Sequence, residues 1–248
     1  MYGSALFFPA RSIYQVLFDR HKRAKRRQMR DFYAAFINPG DLVFDVGANV
    51  GNYSDVFSEL RAKVVAVEPN PECWENLHRL ARVRQVYVEQ CAVGAAPGRA
   101  KLRICESSGL STLSDRWCEE VGGSAPNSDL KWLGTCEVEV VTLDQLMARY
   151  GVPSFVKVDA EGYDDEVLRG MSLLPRALSF EFHRRAPEVG LGCLQTESLA
   201  RNYRFNYIQA REMKFACESW LHADELRCRL DVLVGQQENG EVLARRIE

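Results

Sequence analysis

Three groups of residues have the types and spacing to bind a nucleoside and to take up a proton beside it. The first is Asp45-Val46-Gly47-Ala48-Asn49-Val50-Gly51, which overlaps the end of the apolar run Leu42 to Val46. A tight loop at the carboxyl end of a buried strand is where open α/β sheets take their ligands. Glycine allows close backbone approach and positive φ, and asparagine is the other residue that tolerates left-handed geometry well. The second is Glu68, which closes the run Val64 to Val67 and lies 23 positions after Asp45. At about that distance an α/β nucleotide site puts a carboxylate on the ribose hydroxyls. A nicotinamide dinucleotide is disfavoured, and a P-loop is excluded. Asn49 stands where a dinucleotide site needs its second glycine, and the last glycine comes one residue early; no Gly-Lys-Ser/Thr follows, as a P-loop requires.

The third group is Asp159 and Glu161, in Asp159-Ala160-Glu161-Gly162 after the run Phe155 to Val158, with His183, which ends Glu181-Phe182-His183. All three are placed on the ligand side of the sheet and are candidate general bases. His183 has the ordinary pKa best matched to neutral pH, whereas the carboxylates serve if burial or mutual repulsion raises theirs. The plainer readings are a turn that caps the next helix, with Asp164 and Asp165 near its positive end, and a merely hydrogen-bonded histidine. Asp159, Glu161, Asp164 and His183 could also hold a divalent cation, but their spacing matches no dedicated metal motif, so a cation is not favoured. Lys157 lies inside an apolar run, where a charge needs a partner; a structural ion pair is expected there.

These residues need an α/β frame to bring them together. The runs at Leu42, Val64, Val86 to Val88, Phe155 and Leu178 to Phe182 are continuously apolar, as strands buried on both faces must be. Helices are expected over Asn52 to Leu60, Pro71 to Ala81 with Asn70 as N-cap, Thr142 to Tyr150 with a Thr142/Gln145 capping box, and Asp164 to Leu173. Gly94 to Val141 reads as an insertion over one sheet edge, with strands at Ala100 to Cys105 and Cys136 to Val141 around a Ser/Gly-rich middle. Further strands at Phe205 to Ile208 and Leu230 to Val234 would complete about seven through an antiparallel edge. The expected division is an N-terminal helical extension over residues 1–40 and one α/β domain over 41–248, mostly parallel, with helices on both faces and an antiparallel last strand.

The chain has 248 residues, 46% of them hydrophobic, enough for one large core. No stretch is apolar enough to span a bilayer and the start is unlike a signal peptide, so a cytoplasmic location is expected. The eight cysteines have no Cys-x-x-Cys pair and are expected reduced. Net charge is −2, yet residues 1–30 hold eight Lys/Arg against one acid, leaving 24 basic against 33 acidic residues elsewhere. The cluster Arg20-His21-Lys22-Arg23-Ala24-Lys25-Arg26-Arg27 is either an anion-binding arm or, the favoured reading, the solvated face of a helix whose apolar face is Ile13, Leu17, Phe18, Phe32 and Phe36.

From Asp41 to His183 the chain resembles the FkbM family of class I, Rossmann-like S-adenosylmethionine methyltransferases. The likeness rests on Leu42 to Gly51, Glu68-Pro69-Asn70-Pro71, Cys91-Ala92-Val93-Gly94, Val141-Thr142-Leu143-Asp144, Lys157-Val158-Asp159-Ala160-Glu161-Gly162, Val167-Leu168-Arg169-Gly170 and Glu181-Phe182-His183, in order. It departs at Asp164, where glutamate is usual, and at Cys91, where asparagine is common. The resemblance implies that Asp45, Gly47 and Gly51 surround the methionine part of S-adenosylmethionine and that Asn49 and Asn52 support the loop. It also places Glu68 on the ribose, Pro69 and Asn70 along the adenosine, and Cys91 and Ala92 beside the adenine, with Asp159 a further possible cofactor contact. The reaction implied is methylation of a hydroxyl on a sugar, a glycan or a secondary metabolite. Two alternatives are nucleic-acid methylation, disfavoured because no Asn/Asp-Pro-Pro-Tyr/Phe follows the fourth strand, and a binding module without catalysis. No residue pattern encodes the acceptor or an oligomeric state; Ser107 to Thr112 is either pocket lining or a plain loop.

Overall fold

Adjacent residues of each buried strand feed opposite faces of one sheet, which is why the apolar runs do not alternate. The computed structural model describes residues 22–122, 130–209, 212–235 and 239–247. Its main sheet contains β1 (Leu42–Val46), β2 (Lys63–Val67), β3 (Val86–Glu89), β7 (Phe155–Val158), β8 (Ala177–Phe182), β9 (Tyr203–Gln209) and β10 (Gly240–Arg246), in the order β3-β2-β1-β7-β8-β10-β9. Strands β3, β2, β1, β7 and β8 pair in parallel, and β10 runs antiparallel to both β8 and β9. The architecture is Rossmann-like.

One face packs Val43, Val64 and Phe155 with Tyr33 of α1 (residues 22–33), Val56 and Phe57 of α2 (Asn52–Glu59) and Leu77 of α3 (Pro71–Ala81). The other packs Phe44, Val65, Val156 and Phe180 with residues of α5 (Leu143–Tyr150), α6 (Asp164–Arg169), α7 (Pro187–Gln195), α8 (Glu197–Asn202) and α9 (Ala223–Gly235). Asn70 caps α3 by accepting the Glu72 N–H, and the Thr142/Gln145 capping box is formed. The aromatic ring of Tyr33 is fully buried and its hydroxyl donates to Glu241 at 2.8 Å, which fastens α1 to the sheet.

Three expectations need correction. Leu230 to Val234 is not a strand but the end of α9, whose Leu226, Leu230 and Leu233 are buried at helical spacing. A short apolar run carries no period that separates the two states. The last strand is instead β10, where only three apolar residues sit between polar ends, and it is inserted beside β8 rather than at the sheet edge. Helix α6 stops at Arg169 rather than Leu173, with Gly170 as its C-cap, where an added Cβ would fall 2.2 Å from the Gly94 carbonyl oxygen. Of the apolar face expected on the leading helix, Phe36 is buried and Phe32 partly so, while Ile13, Leu17 and Phe18 lie outside the described residues, as do Arg20 and His21.

The segment expected as an insertion forms a second sheet, in the order β4-β6-β5, from β4 (Ala92–Val93), β5 (Gly98–Cys105) and β6 (Trp132–Val141). Between its long strands lie a single helical turn at Ser108–Leu110, which bonds to the loop after β1, and α4 (Asp115–Gly122), whose Trp117 packs beside Gly162 after β7 and His183 after β8.

Candidate functional site

A cleft of about 570 Å³ opens at the carboxyl ends of β1, β2 and β7, a size suited to a small ligand. The β1 loop forms its floor. Gly47 has φ +77°, and a Cβ there would fall 1.8 Å from the Asp159 carbonyl oxygen, so glycine is what lets the ends of β1 and β7 touch. Asn49 is also left-handed, at φ 49°. Its side-chain oxygen accepts from the Cys73 thiol at 3.2 Å and the Ser108 hydroxyl at 3.0 Å, which ties the loop to α3 and to the inserted sheet.

Glu68 is the organiser of this wall. Its two carboxylate oxygens accept backbone N–H groups from Asn49 and Asn70, each at 2.7 Å. An ionised carboxylate has about four lone-pair directions, so roughly two remain for a ligand, one on each oxygen. Burial pushes its pKa up to about 7, against the pull of those two N–H groups.

On the opposite side, Glu161 takes left-handed backbone (φ 47°), and Thr112 from the inserted sheet holds its carbonyl by donating at 2.7 Å. Burial raises the Glu161 pKa well above the usual carboxylate range, and the nearby charges of Asp159, Glu181 and Asp164 add to this. Asp159 accepts from the buried Lys157 ammonium at 2.7 Å, the ion pair expected for that lysine, which also lies 4.3 Å from the Tyr53 ring centroid. Burial works against the Lys157 charge, but Asp159, Tyr53, Glu241 and Asp45 outweigh it and raise its pKa.

Gly47, Asn49, Asn52, Glu68, Pro69, Cys91, Ala92, Asp159 and Glu161 all line the cleft. Burial pushes the Cys91 thiol up to about 12, so that wall is uncharged at neutral pH. Asp45, Gly51 and Asn70 stand behind the lining. Asp45 is buried and accepts the Ser54 hydroxyl at 2.6 Å, Gly51 is the left-handed N-cap of α2, and Asn70 is enclosed as the cap of α3.

His183 is not brought to the cleft. Its ring packs edge-on against Trp117 at 4.8 Å, and its Nδ1 accepts the Arg185 N–H at 3.2 Å. Burial, with Arg184 and Arg185 beside it, lowers its pKa to about 4, which makes it a weak base with one nitrogen already engaged. Asp164 is likewise withdrawn: its two oxygens accept the Ala160 and Glu181 N–H groups, and burial raises its pKa to about 7. The carboxylates that do converge are Asp159, Glu161 and Glu181, with oxygens within 4.8 Å of one another. Glu181 was not singled out among the candidate bases, although it sits in the Glu-Phe-His segment two residues before the chosen histidine. Tyr53, Tyr163 and Met213 also line the cleft, and no local sequence signal marks them. Ser108, Gly109, Ser111 and Thr112 are cleft lining rather than a plain loop.

Among the described residues, no helix is long and apolar enough to cross a membrane. The chain is 28% identical over 182 residues to the hexuronic acid methyltransferase AglP of Haloferax volcanii, covering 72% of this chain and 69% of that protein. Solved structures with a similar course of the chain include an rRNA methylase from Streptococcus thermophilus (9% identity, TM-score 0.43, 88% of this chain and 94% of that one). Another is fibrillarin from Aeropyrum pernix with bound S-adenosylmethionine (10%, 0.41, 84% and 68%). Residues 45–215 match the model of the methyltransferase FkbM domain, which takes in both the Glu68 wall and the Glu161 wall of the cleft. The chain therefore belongs to the FkbM family of S-adenosylmethionine-dependent methyltransferases.

Proposed function

We propose that this protein methylates a hydroxyl oxygen of a sugar or glycan, with Glu68 on the cofactor ribose and Glu161 as the general base. The observation that carries this reading is one cleft lined both by a carboxylate that accepts two backbone N–H groups and by a half-buried carboxylate of raised pKa. The Haloferax relative, whose name places its action on a sugar acid, supports a carbohydrate acceptor.

When bound, S-adenosylmethionine supplies a methyl carbon already activated by its sulfonium. What the chain must add is alignment, exclusion of water and a place for the acceptor proton. With the cofactor bound, the Gly47 to Asn52 loop would hold its methionine part, Glu68 would accept from the ribose hydroxyls on its unused lone pairs, and Cys91 and Ala92 would take the adenine. Asp159, ion-paired with Lys157, lines the cleft beside Glu161, and Glu161 would take the hydroxyl proton. One oxygen of Asp159 is already paired with Lys157, and burial with the charges of Asp159 and Glu181 raises the Glu161 pKa, so we read the trio as holding a proton rather than a cation. Turnover is expected to be unchanged by EDTA; loss of activity restored by magnesium would reassign the trio to a metal.

Isothermal calorimetry with S-adenosylhomocysteine tests the cofactor half. Wild type should bind it, and Glu68→Gln should bind at least tenfold more weakly, because the amide NH2 would face a backbone N–H and lose one acceptor. Affinity should also depend on pH. A ribose hydroxyl donates best to the ionised carboxylate, so binding favours deprotonation of a group with a pKa of about 7. Affinity should therefore fall as pH drops from 8 to 6, by roughly threefold to tenfold, and Glu68→Gln should abolish that slope. Absence of S-adenosylhomocysteine binding by wild type would overturn the reading.

A further inference from the structure

The cleft has a wall that the methyl transfer does not use. Lys22, Lys25, Arg26 and Met29 of α1 line its mouth. They fall at i, i+3, i+4 and i+7, one stripe of the helix, and the same stripe continues to Tyr33 in the core. A stripe that faces protein is normally apolar throughout. Here it is apolar where α1 packs on the sheet and cationic where it passes the cleft.

Arg26 has a structural task, since it ion-pairs with Asp55 and Glu59 of α2 and holds α1 over the opening. Lys25 is exposed, with no salt bridge among the described residues, and Lys22 is exposed one turn away. The same cleft carries Glu68, Asp159 and Glu161 at the ends of β2 and β7. The cleft is thus polarised, with carboxylates at the strand ends and ammonium groups at the rim. A neutral acceptor would gain nothing from that rim, whereas an acceptor with its own anionic group could turn the group to the lysines and its hydroxyl to Glu161. Such an orientation also keeps the anion away from the acidic interior, where it would be repelled.

We infer that Lys22 and Lys25 determine specificity for an acceptor that carries a carboxylate or a phosphate near the hydroxyl to be methylated. This rests on the methyl-transfer reading of the cleft and names the acceptor class that reading leaves open. An ammonium is a compact charge with rotatable donors and takes either anion, unlike the planar fork of arginine.

The test uses the full chain saturated with S-adenosylhomocysteine and three probes: methyl glucuronide, methyl glucoside and glucose 6-phosphate. Calorimetry at low salt should show one or both acidic probes bound roughly tenfold or more tightly than the glucoside, with the preference shrinking as salt is added. The choice between glucuronide and glucose 6-phosphate tells which anion is preferred. Lys22→Gln/Lys25→Gln should erase the preference while S-adenosylhomocysteine affinity stays within about twofold. Equal affinity for all three probes, no binding of any, or a preference that survives in the double variant would overturn the inference. So would a loss of S-adenosylhomocysteine affinity in the variant, which would assign the lysines to the cofactor carboxylate, or tighter binding of a short RNA than of either acidic sugar. A wild type that takes no S-adenosylhomocysteine overturns the methyl-transfer reading and this inference with it, whereas one that binds it but ignores probe charge overturns this inference alone.

Discussion

Glu161→Gln is expected to lower kcat for methyl transfer by roughly 10²- to 10³-fold while leaving S-adenosylhomocysteine affinity within about twofold. The substitution keeps the size of the side chain and asks nothing new of the backbone, which already holds a non-glycine residue at φ 47°. It removes only the ability to take a proton. The same change should raise thermal stability. The folded-state pKa of Glu161 lies above its unfolded value, so the folded protein binds the proton more tightly, and ionisation opposes folding as pH rises from the unfolded pKa through the folded one. Glutamine never ionises and escapes that cost, along with the repulsion from Asp159, Glu181 and Asp164. Slower turnover together with a higher melting temperature is the mark of a residue kept for chemistry at the expense of stability. Wild type should also lose activity on the acid side as Glu161 becomes protonated, and the variant should lack that limb. Turnover close to wild type in Glu161→Gln would remove it as the base.

Gly47→Ala should cost about 2–5 kcal/mol of stability and abolish measurable cofactor binding. Two penalties combine: φ +77° strains any residue with a Cβ, and that Cβ would lie 1.8 Å from the backbone oxygen of Asp159. Neither atom sits on a flexible side chain, so relief requires the ends of β1 and β7 to separate. That movement would displace Gly47 and Asp159 together, and with them the floor of the cleft. Gly98→Ala is the control, because its added Cβ meets nothing within 4 Å and its φ is ordinary. It should stay within about 0.5 kcal/mol of wild type by urea unfolding. If Gly47→Ala unfolds at the same urea concentration as Gly98→Ala, the close approach at Asp159 is not structurally required.

Much of the frame was legible in the linear sequence because its signals are local. Continuous apolar runs mark strands buried on both faces, and the five that were read fall within β1, β2, β3, β7 and β8. The Asn70 and Thr142 caps mark helix starts through their own hydrogen bonds to the next turn. Where local signals were weak, the reading failed. Leu230 to Val234 has the composition of either state and became helix through packing of Leu226, Leu230 and Leu233, while β10 has so little apolar length that only its place between β8 and β9 makes it a strand.

The site divides in the same way. That Glu68 would meet the Asp45 to Gly51 loop was legible because strand, loop and carboxylate lie in one βαβ unit, where spacing fixes distance. His183 and Glu181 show the limit, for they are two residues apart on the same stretch of chain. One turns into the acidic trio and the other onto Trp117. The inserted segment supplies Trp117 beside the histidine and Thr112 beside Glu161, and the leading helix brings Lys22 and Lys25 to the cleft that also holds Glu161, more than 100 residues further along the chain. The sequence by itself determined which strand ends would carry the glycine loop and the acids, since hydrophobic period and spacing are properties of short segments. Only the tertiary structure decided which acid stands among like charges and which basic residues line the cleft, because burial and charge repulsion depend on distance in space.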